Sequence, residues 1–184
     1  AWRPECVEGF GRERAHHASH DHERSIPLIS CDYMYLSRSG VFARDELPQG
    51  ERDGAIRVID AKCARTQALF AHAVPQKGVN PDGYVVEQLR QDVLWLGHSK
   101  VVFRSDNEPA LVALLRGLRR RLAVEKIEVS PETSCEYDPS SNGSAECGVG
   151  IAKGLVWAIR SALVDRLGTT IPDSHPIITW LIQY

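Results

Sequence analysis

Three carboxylic acids stand where a fold gains little stability from them. Asp32 lies inside an apolar run, residues 26–36, that is typical of a strand, and Asp is disfavoured in strands. Asp106 directly follows a second apolar run, residues 100–105, and Glu146 lies at the start of a long amphipathic segment. Clustered carboxylates repel one another unless hard divalent cations, which prefer oxygen ligands, occupy the cluster. The three acids therefore form a candidate metal-binding and catalytic set.

Such a set predicts phosphoryl transfer. Two Mg²⁺ or Mn²⁺ ions about 3.5–4 Å apart can hold the attacking and leaving oxygens of an in-line displacement. The nucleophile would be a water or a DNA 3′-hydroxyl, and the protein would supply positioning and charge neutralisation. Each acid also has a structural interpretation. Asp106 could cap a helix, Glu146 could be a solvated residue favoured by the helix dipole, and Asp32 could pair with an arginine.

A polar stripe continues from Glu146 along the predicted helix. Lys153 and Arg160 follow it by seven and fourteen residues, and at 100° per residue both stay within about 40° of it. A helix with a metal ligand at one end and cations on the same face could lie along a phosphate backbone. The alternative for both cations is an ordinary solvated face.

The elements that must position these residues follow from periodicity. Apolar runs predict three strands, then a helix, a strand, a helix, a strand and a long helix, so the class is α/β. A meander followed by alternating helices and strands gives a five-stranded mixed sheet, antiparallel then parallel, flanked by helices. Adjacent central strands would bring Asp32 and Asp106 together, and the long helix would deliver Glu146. The predicted strands are 26–36, 55–60, 66–74, 100–105 and 124–129, the helices 81–96, 109–122 and 144–167, and the long loops 37–54 and 130–143.

Composition narrows the class of protein. The chain has 184 residues, 43% of them hydrophobic and 25% charged, which suits one domain with a full core. No uninterrupted apolar run approaches the roughly 20 residues of a membrane helix, so no membrane partner is expected. Five widely spaced cysteines without a CxxC pair argue against a disulfide framework. The net charge of −2 is not typical of a nucleic-acid binder, but four arginines cluster at positions 116, 119, 120 and 121.

Local motifs add a family resemblance. The segments Arg104-Ser105-Asp106-Asn107 and Asn142-Gly143-Ser144-Ala145-Glu146 resemble the R-S-D-N and N-G-x-A-E motifs of copia-type integrases. With Asp32, they resemble the DDE triad of retroviral and retrotransposon integrase catalytic cores. The resemblance implies an RNase H-like fold, two Mg²⁺ or Mn²⁺ ions, 3′-end processing and joining of element ends to target DNA. It also implies homo-oligomers that act in the nucleus after cytoplasmic assembly.

The same resemblance suggests DNA-contacting residues and domain limits. Lys153 falls where the family has a DNA-contacting lysine, and Asn142, Gly143 and Arg160 are further candidates. Residues 25–184 would be the catalytic core, truncated at its C-terminus. Residues 1–24 would be a linker with a remnant of an upstream zinc-binding module, since residues 2–6 resemble the end of that module with Arg3 in place of its first cysteine.

Two further departures keep alternatives open. Cys147 follows Glu146 where the family commonly has Arg, and the loop after Asp32 is long. A ribonuclease H-type nuclease would share the fold. A catalytically decayed or domesticated core that binds DNA or protein would share both the fold and the motifs.

Overall fold

The computed structural model of the protein describes residues 24–37, 39–42, 46–133, 139–172 and 175–183, with only the backbone of residues 41, 139–146 and 183. The upstream-module remnant and most of the predicted linker lie outside these residues. The strands are β1 Leu28–Ser37, β2 Gly40–Phe42, β3 Ile56–Cys63, β4 Leu69–Val74, β5 Lys100–Ser105 and β6 Glu128–Thr133. The helices are α1 Tyr84–Leu96, α2 Pro109–Val124, α3 Pro139–Leu167 and α4 Pro176–Gln183, with a 3₁₀ turn at Gln49–Glu51.

The sheet has the order β4-β3-β1-β5-β6. Strands β1, β3 and β4 form an antiparallel meander, whereas β5 runs parallel to both β1 and β6. This arrangement confirms the predicted mixed sheet of five main strands. The short β2, which pairs antiparallel with the end of β1, makes a sixth strand inside the predicted loop 37–54.

Alternate residues of β1 face two different cores. Tyr33 packs with residues of α1 and α2 on one side of the sheet, whereas Met34 and Leu36 pack with residues of α3 and α4 on the other. Each fully buried apolar side chain of this size contributes about 1.5–3 kcal/mol. Because side chains alternate along a strand, Asp32 shares the face of Met34 and points to the side that α3 covers.

Three predicted boundaries were wrong for local reasons. Helix α1 begins at Tyr84 rather than at residue 81, because the Asp82 carboxylate accepts the Tyr84 N–H at 3.1 Å and forms a turn before the helix. Helix α2 runs on to Val124. The last strand therefore starts at Glu128, which pairs with the first residue of β5, rather than at residue 124.

The predicted start of α3, at residue 144, was also wrong, because it lies too far along the chain. The helix begins at Pro139, and proline suits a first helical turn because it has no N–H to leave unbonded. Asn142 and Gly143 therefore lie within the helix, not in a preceding loop. Glu146 lies about two turns inside α3, so the helix dipole, which acts mainly within the first turn, favours it less than expected.

Part of α3 is more apolar over its length than the search for uninterrupted apolar runs indicated. Residues Cys147–Leu167 have a mean hydropathy of 1.4 and are long and apolar enough to cross a membrane. The same stretch supplies Val149, Ala152 and Val156 to the core beneath the sheet. An apolar composition of this kind is also usual for a helix that covers one face of a sheet.

Candidate active site

Two of the predicted acids lie side by side. Parallel pairing places Ser30 of β1 opposite Arg104 of β5. Continuing that register by two residues brings Asp32 level with Asp106, which directly follows the end of β5. Both acids are half-buried, and the negative charge of Asp106 acts on Asp32. The proximity expected from adjacent central strands is therefore present.

The surroundings of Asp32 disfavour its ionised form. Burial, with the nearby charges of Asp106 and Glu108, raises the pKa of Asp32 to about 6 from its ordinary 3.8. The N–H of Tyr33, which donates to Oδ1 of Asp32 at 2.7 Å, and the ammonium of Lys77 offset part of this effect. Asp32 does not pair with an arginine within the described residues, so that structural interpretation is not supported.

Asp106 is held by the turn that leads into α2. Its Oδ1 accepts the backbone N–H of Glu108 at 3.1 Å. The capping interpretation is thus realised in part, since Glu108 immediately precedes the helix. A carboxylate has about four lone-pair sites on its two oxygens. This hydrogen bond uses one of them and fixes the orientation of the side chain, so the other lone pairs remain available to bind a cation.

An ion pair that the sequence did not reveal borders the two aspartates. Lys77 donates to both carboxylate oxygens of Glu108 at 2.7 Å, and its ammonium lies 4.6 Å from the centre of the Tyr33 ring. The Tyr33 hydroxyl in turn accepts the N–H of Gly78 at 2.9 Å. These contacts fix the segment after β4 beside the site.

A further buried acid, Asp60, adjoins Asp32 on the other side. Asp60 is the antiparallel register partner of Asp32 and is completely buried. Neither of its carboxyl oxygens has a hydrogen-bond partner among the described residues. Burial, followed by the charge of Asp32, raises the pKa of Asp60 well above its ordinary value, and the nearby backbone N–H groups of Asp60 and Asp32 and the charge of Lys62 offset only part of this rise. Sequence reasoning missed Asp60, although Asp60 and Lys62 alternate with apolar residues in β3 and so share one face.

Helix α3 carries the remaining predicted residues. Glu146, Asn142 and Gly143 belong to its backbone, but their side chains lie outside the described part of the chain. Lys153 donates to Glu46 at 3.0 Å. The Arg160 guanidinium donates to the carbonyl of Ile171 at 3.1 Å, and this contact joins α3 to the segment before α4.

The acids fit a divalent cation in part. Asp32 and Asp106 supply adjacent oxygen donors, and Asp60 adds an unpartnered buried carboxyl beside them. Among the side chains that the structure describes, no three of His, Cys, Asp or Glu lie close enough together to hold one ion. Completion of a site would therefore need a donor from outside this set, which is the place predicted for Glu146.

A groove of about 260 Å³ leaves the same end of the sheet. Ser105 and Thr133, the last residues of β5 and β6, line it together with Arg116 and Arg119 of α2. Both arginines are exposed. Part of the basic cluster seen in the sequence therefore lines a groove on the α2 side of the sheet, which reaches Ser105, the residue before Asp106.

No protein-family model and no curated protein sequence matches the chain. Among solved structures, it is similar to a chain of the simian T-cell lymphotropic virus intasome in complex with PP2A regulatory subunit B56 gamma. That similarity has 11% identity and a TM-score of 0.48, and it covers 85% of this chain and 46% of that one. A second similarity, to the HTLV-2 integrase catalytic core domain in complex with magnesium, has 13% identity and a TM-score of 0.46 over 83% and 82% of the two chains. The chain spans less than half the length of the intasome chain.

Proposed function

We propose that this chain is the catalytic core of an integrase, a metal-dependent polynucleotidyl transferase that processes 3′ ends and joins them to target DNA. One observation carries the proposal: the parallel register of β1 and β5, continued by two residues, brings Asp32 level with Asp106, which directly follows β5. Asp32 points to the side of the sheet that α3 covers. Glu146 belongs to that helix. The R-S-D-N and N-G-x-A-E motifs support a copia-type retrotransposon as the source.

In this proposal Asp32, Asp106 and Glu146 hold two Mg²⁺ or Mn²⁺ ions. When bound, such ions activate the attacking oxygen and neutralise the charge on the leaving oxygen. The chain's own contribution is orientation. The Tyr33 N–H fixes one oxygen of Asp32, and the Glu108 N–H fixes one oxygen of Asp106. Fixed ligands hold the reacting groups in line and reduce the entropy lost in reaching the transition state.

DNA would approach along the cationic side chains near this end of the sheet. Lys153, with Arg160, Asn142 and Gly143, is proposed to contact the processed DNA end. Contacts of this kind go mainly to phosphates, so binding should depend steeply on salt and weakly on sequence. Lys153 would exchange its bond to exposed Glu46 for a phosphate, an exchange that costs little because surface ion pairs are weak.

The proposal also includes self-association and a place of action. Large apolar side chains are exposed on α1 and α4, notably Trp95, at 73%, and Trp180, at 53%. Exposed aromatic groups of this size often mark interfaces, so a homo-oligomer is proposed. Integration of element ends into a host genome would take place in the nucleus, after assembly of the complex in the cytoplasm.

The test is a single conservative substitution. Asp106→Asn keeps the Oδ1 acceptor for Glu108, so the fold should persist by circular dichroism, while Mn²⁺-dependent joining or disintegration of branched DNA is lost. Asp53→Asn is the matched control, because Asp53 is exposed in the turn before β3 and should leave the rate unchanged. An Asp106→Asn protein with the wild-type rate would refute the metal-site assignment.

A second candidate is a non-catalytic core that binds DNA or protein. The observation in its favour is Cys147, which stands where integrases commonly have Arg and accepts a hydrogen bond from the ammonium of Lys62 at 3.2 Å. On this alternative the wild-type chain would bind DNA in a salt-dependent manner, yet neither join nor disintegrate DNA at any Mn²⁺ concentration. Asp106→Asn would then change neither property.

A further inference from the structure

The turn of α3 directly after Glu146 rests on β3 through two consecutive residues. The ammonium of Lys62 donates to Sγ of Cys147 at 3.2 Å, and Lys62 is only 7% exposed. Gly148, the next residue, lies against Asp60, which is fully buried. Because Lys62 and Asp60 are two residues apart on one strand, their side chains share the face beneath the helix.

The contact at Gly148 leaves no room for a side chain. A Cβ added there would lie 2.7 Å from Oδ2 of Asp60, 3.3 Å from Cβ of Lys62 and 3.5 Å from Cδ1 of Leu69. The first distance is shorter than van der Waals contact permits, so the helix or the carboxyl would have to move. Asp60 cannot recede easily, since β3 is paired on both sides, with β1 and β4.

Stability does not explain the carboxyl at position 60. A buried polar group without a hydrogen bond is unfavourable, and both oxygens of Asp60 lack a hydrogen-bond partner among the described residues. Its neighbour on the same face of β3, Val58, belongs to the apolar core. The features that distinguish position 60 are its register with Asp32 and its contact with Gly148.

We propose that Asp60 and Gly148 form a positioning pair, whose contact sets how closely the turn of α3 that carries Glu146 approaches Asp32. Asp60 is a positioning residue, since it adjoins Asp32 across the ladder, where facing Cβ atoms are about 4.5–5.5 Å apart, and it touches the helix at the same time. Gly148 allows the helix to lie this close. The inference rests on the proposed function, because it gives Glu146 a role in the metal site.

The experiment measures Mn²⁺ affinity by electron paramagnetic resonance, together with unfolding by denaturant. Gly148→Ala should weaken Mn²⁺ binding by about tenfold or more, the size seen when groups that support metal ligands are lost. The double variant Gly148→Ala with Asp60→Ala should recover part of that loss, because the new methyl group takes the space of the carboxyl. Gly117→Ala is the control, a helical glycine in α2 whose added methyl would meet Val86 at 3.3 Å, and it should bind Mn²⁺ as the wild type does.

A second pair of variants covers the case in which Gly148→Ala does not fold. Asp60→Ala alone should weaken Mn²⁺ binding by about fivefold or more, and the similarly shaped Asp60→Asn should restore it to within about twofold. Wild-type affinity in both Gly148→Ala and Asp60→Ala, or additive losses in the double variant, would overturn the positioning pair. Loss of Mn²⁺ binding in Asp106→Asn in the same assay would leave the proposed function standing. If Asp106→Asn bound Mn²⁺ like the wild type, the proposed function and the pair would both fall.

Discussion

Replacement of Asp32 by Asn should make the metal-free protein more stable at neutral pH. Asp32 is half-buried beside Asp106, and its ionised form is disfavoured mainly by burial. Asn has nearly the same shape and keeps an Oδ1 acceptor for the Tyr33 N–H, which now donates to Asp32 at 2.7 Å. The substitution therefore removes a charge and little else.

The magnitude and sign follow from the pKa of Asp32. The pKa is about 6 in the folded chain against an ordinary 3.8, and this difference corresponds to at most about 3 kcal/mol at 1.36 kcal/mol for each pH unit. Between these two values the folded state binds more protons than the unfolded state, so the free energy of unfolding falls as pH rises. Below 3.8 both states are protonated and the penalty is absent, whereas above about 6 it is complete.

Urea unfolding at pH 7 and at pH 4, with and without Mn²⁺, measures this effect. We expect Asp32→Asn to raise the free energy of unfolding at pH 7 by about 1–3 kcal/mol and to have little effect at pH 4. Added Mn²⁺ should stabilise the wild type and leave Asp32→Asn unchanged, since ligands stabilise only the state that binds them. A variant that is less stable than the wild type at pH 7, or equally stabilised at both pH values, would refute the electrostatic reasoning.

Three other outcomes follow from the same geometry. The Mn²⁺ affinity of the wild type, measured by calorimetric titration, should rise about tenfold per pH unit below pH 6 and level off above it, because a proton on Asp32 competes with the ion. Cys147→Arg should lower the free energy of unfolding by about 1–3 kcal/mol, because the new cation would face the buried ammonium of Lys62. Cys147→Ser is the control, and equal free energies of unfolding for the two variants would contradict this contact. Joint replacement of Arg116 and Arg119 by Ala should reduce the slope of log affinity for duplex DNA against log salt by about 2, since each phosphate contact contributes about 0.9, and an unchanged slope would remove the groove from the DNA path.

The sheet and the pair of central acids could be predicted because periodicity encodes them directly. Asp32 lies inside one apolar run and Asp106 directly follows another. If these two runs are neighbouring parallel strands at the centre of the sheet, the two acids must lie close together. Element ends were harder to predict. The start of α1 depends on the Asp82 turn, and the start of β6 depends on its register with β5; neither is visible as a hydrophobic pattern.

Asp60 could not be assigned from the sequence because its importance arises from pairing. Alone it is one of three charged residues in an otherwise apolar strand, and only the register of β1 with β3 places it opposite Asp32. Gly148 is similar, since a helical glycine has many explanations until a neighbouring atom is found 2.7 Å from where its Cβ would be. The spacing of two residues between Asp60 and Lys62 was the available signal. It indicates that the two side chains share one face of β3, but it does not indicate which element packs against that face.

The charged side chains on the face of the sheet that α3 covers lie in two neighbouring rows across the strands. In one row, Arg104 of β5 forms an ion pair with Glu132 of β6 at 2.7 Å. Lys62 of β3 belongs to the same row, because Ser30 of β1 pairs with both Lys62 and Arg104. The next row contains Asp60, Asp32 and, by continuation of the register, Asp106. The first row contains side chains of both signs, whereas the second consists of acids. Such a row loses its repulsion only when acids are protonated or when cations enter. Burial favours the protonated form of Asp60, whereas Asp32 loses its proton near pH 6. At neutral pH a cation is therefore the remaining means of offsetting the repulsion between Asp32 and Asp106, and the same charges that lower the stability of the metal-free fold should strengthen its binding of divalent ions.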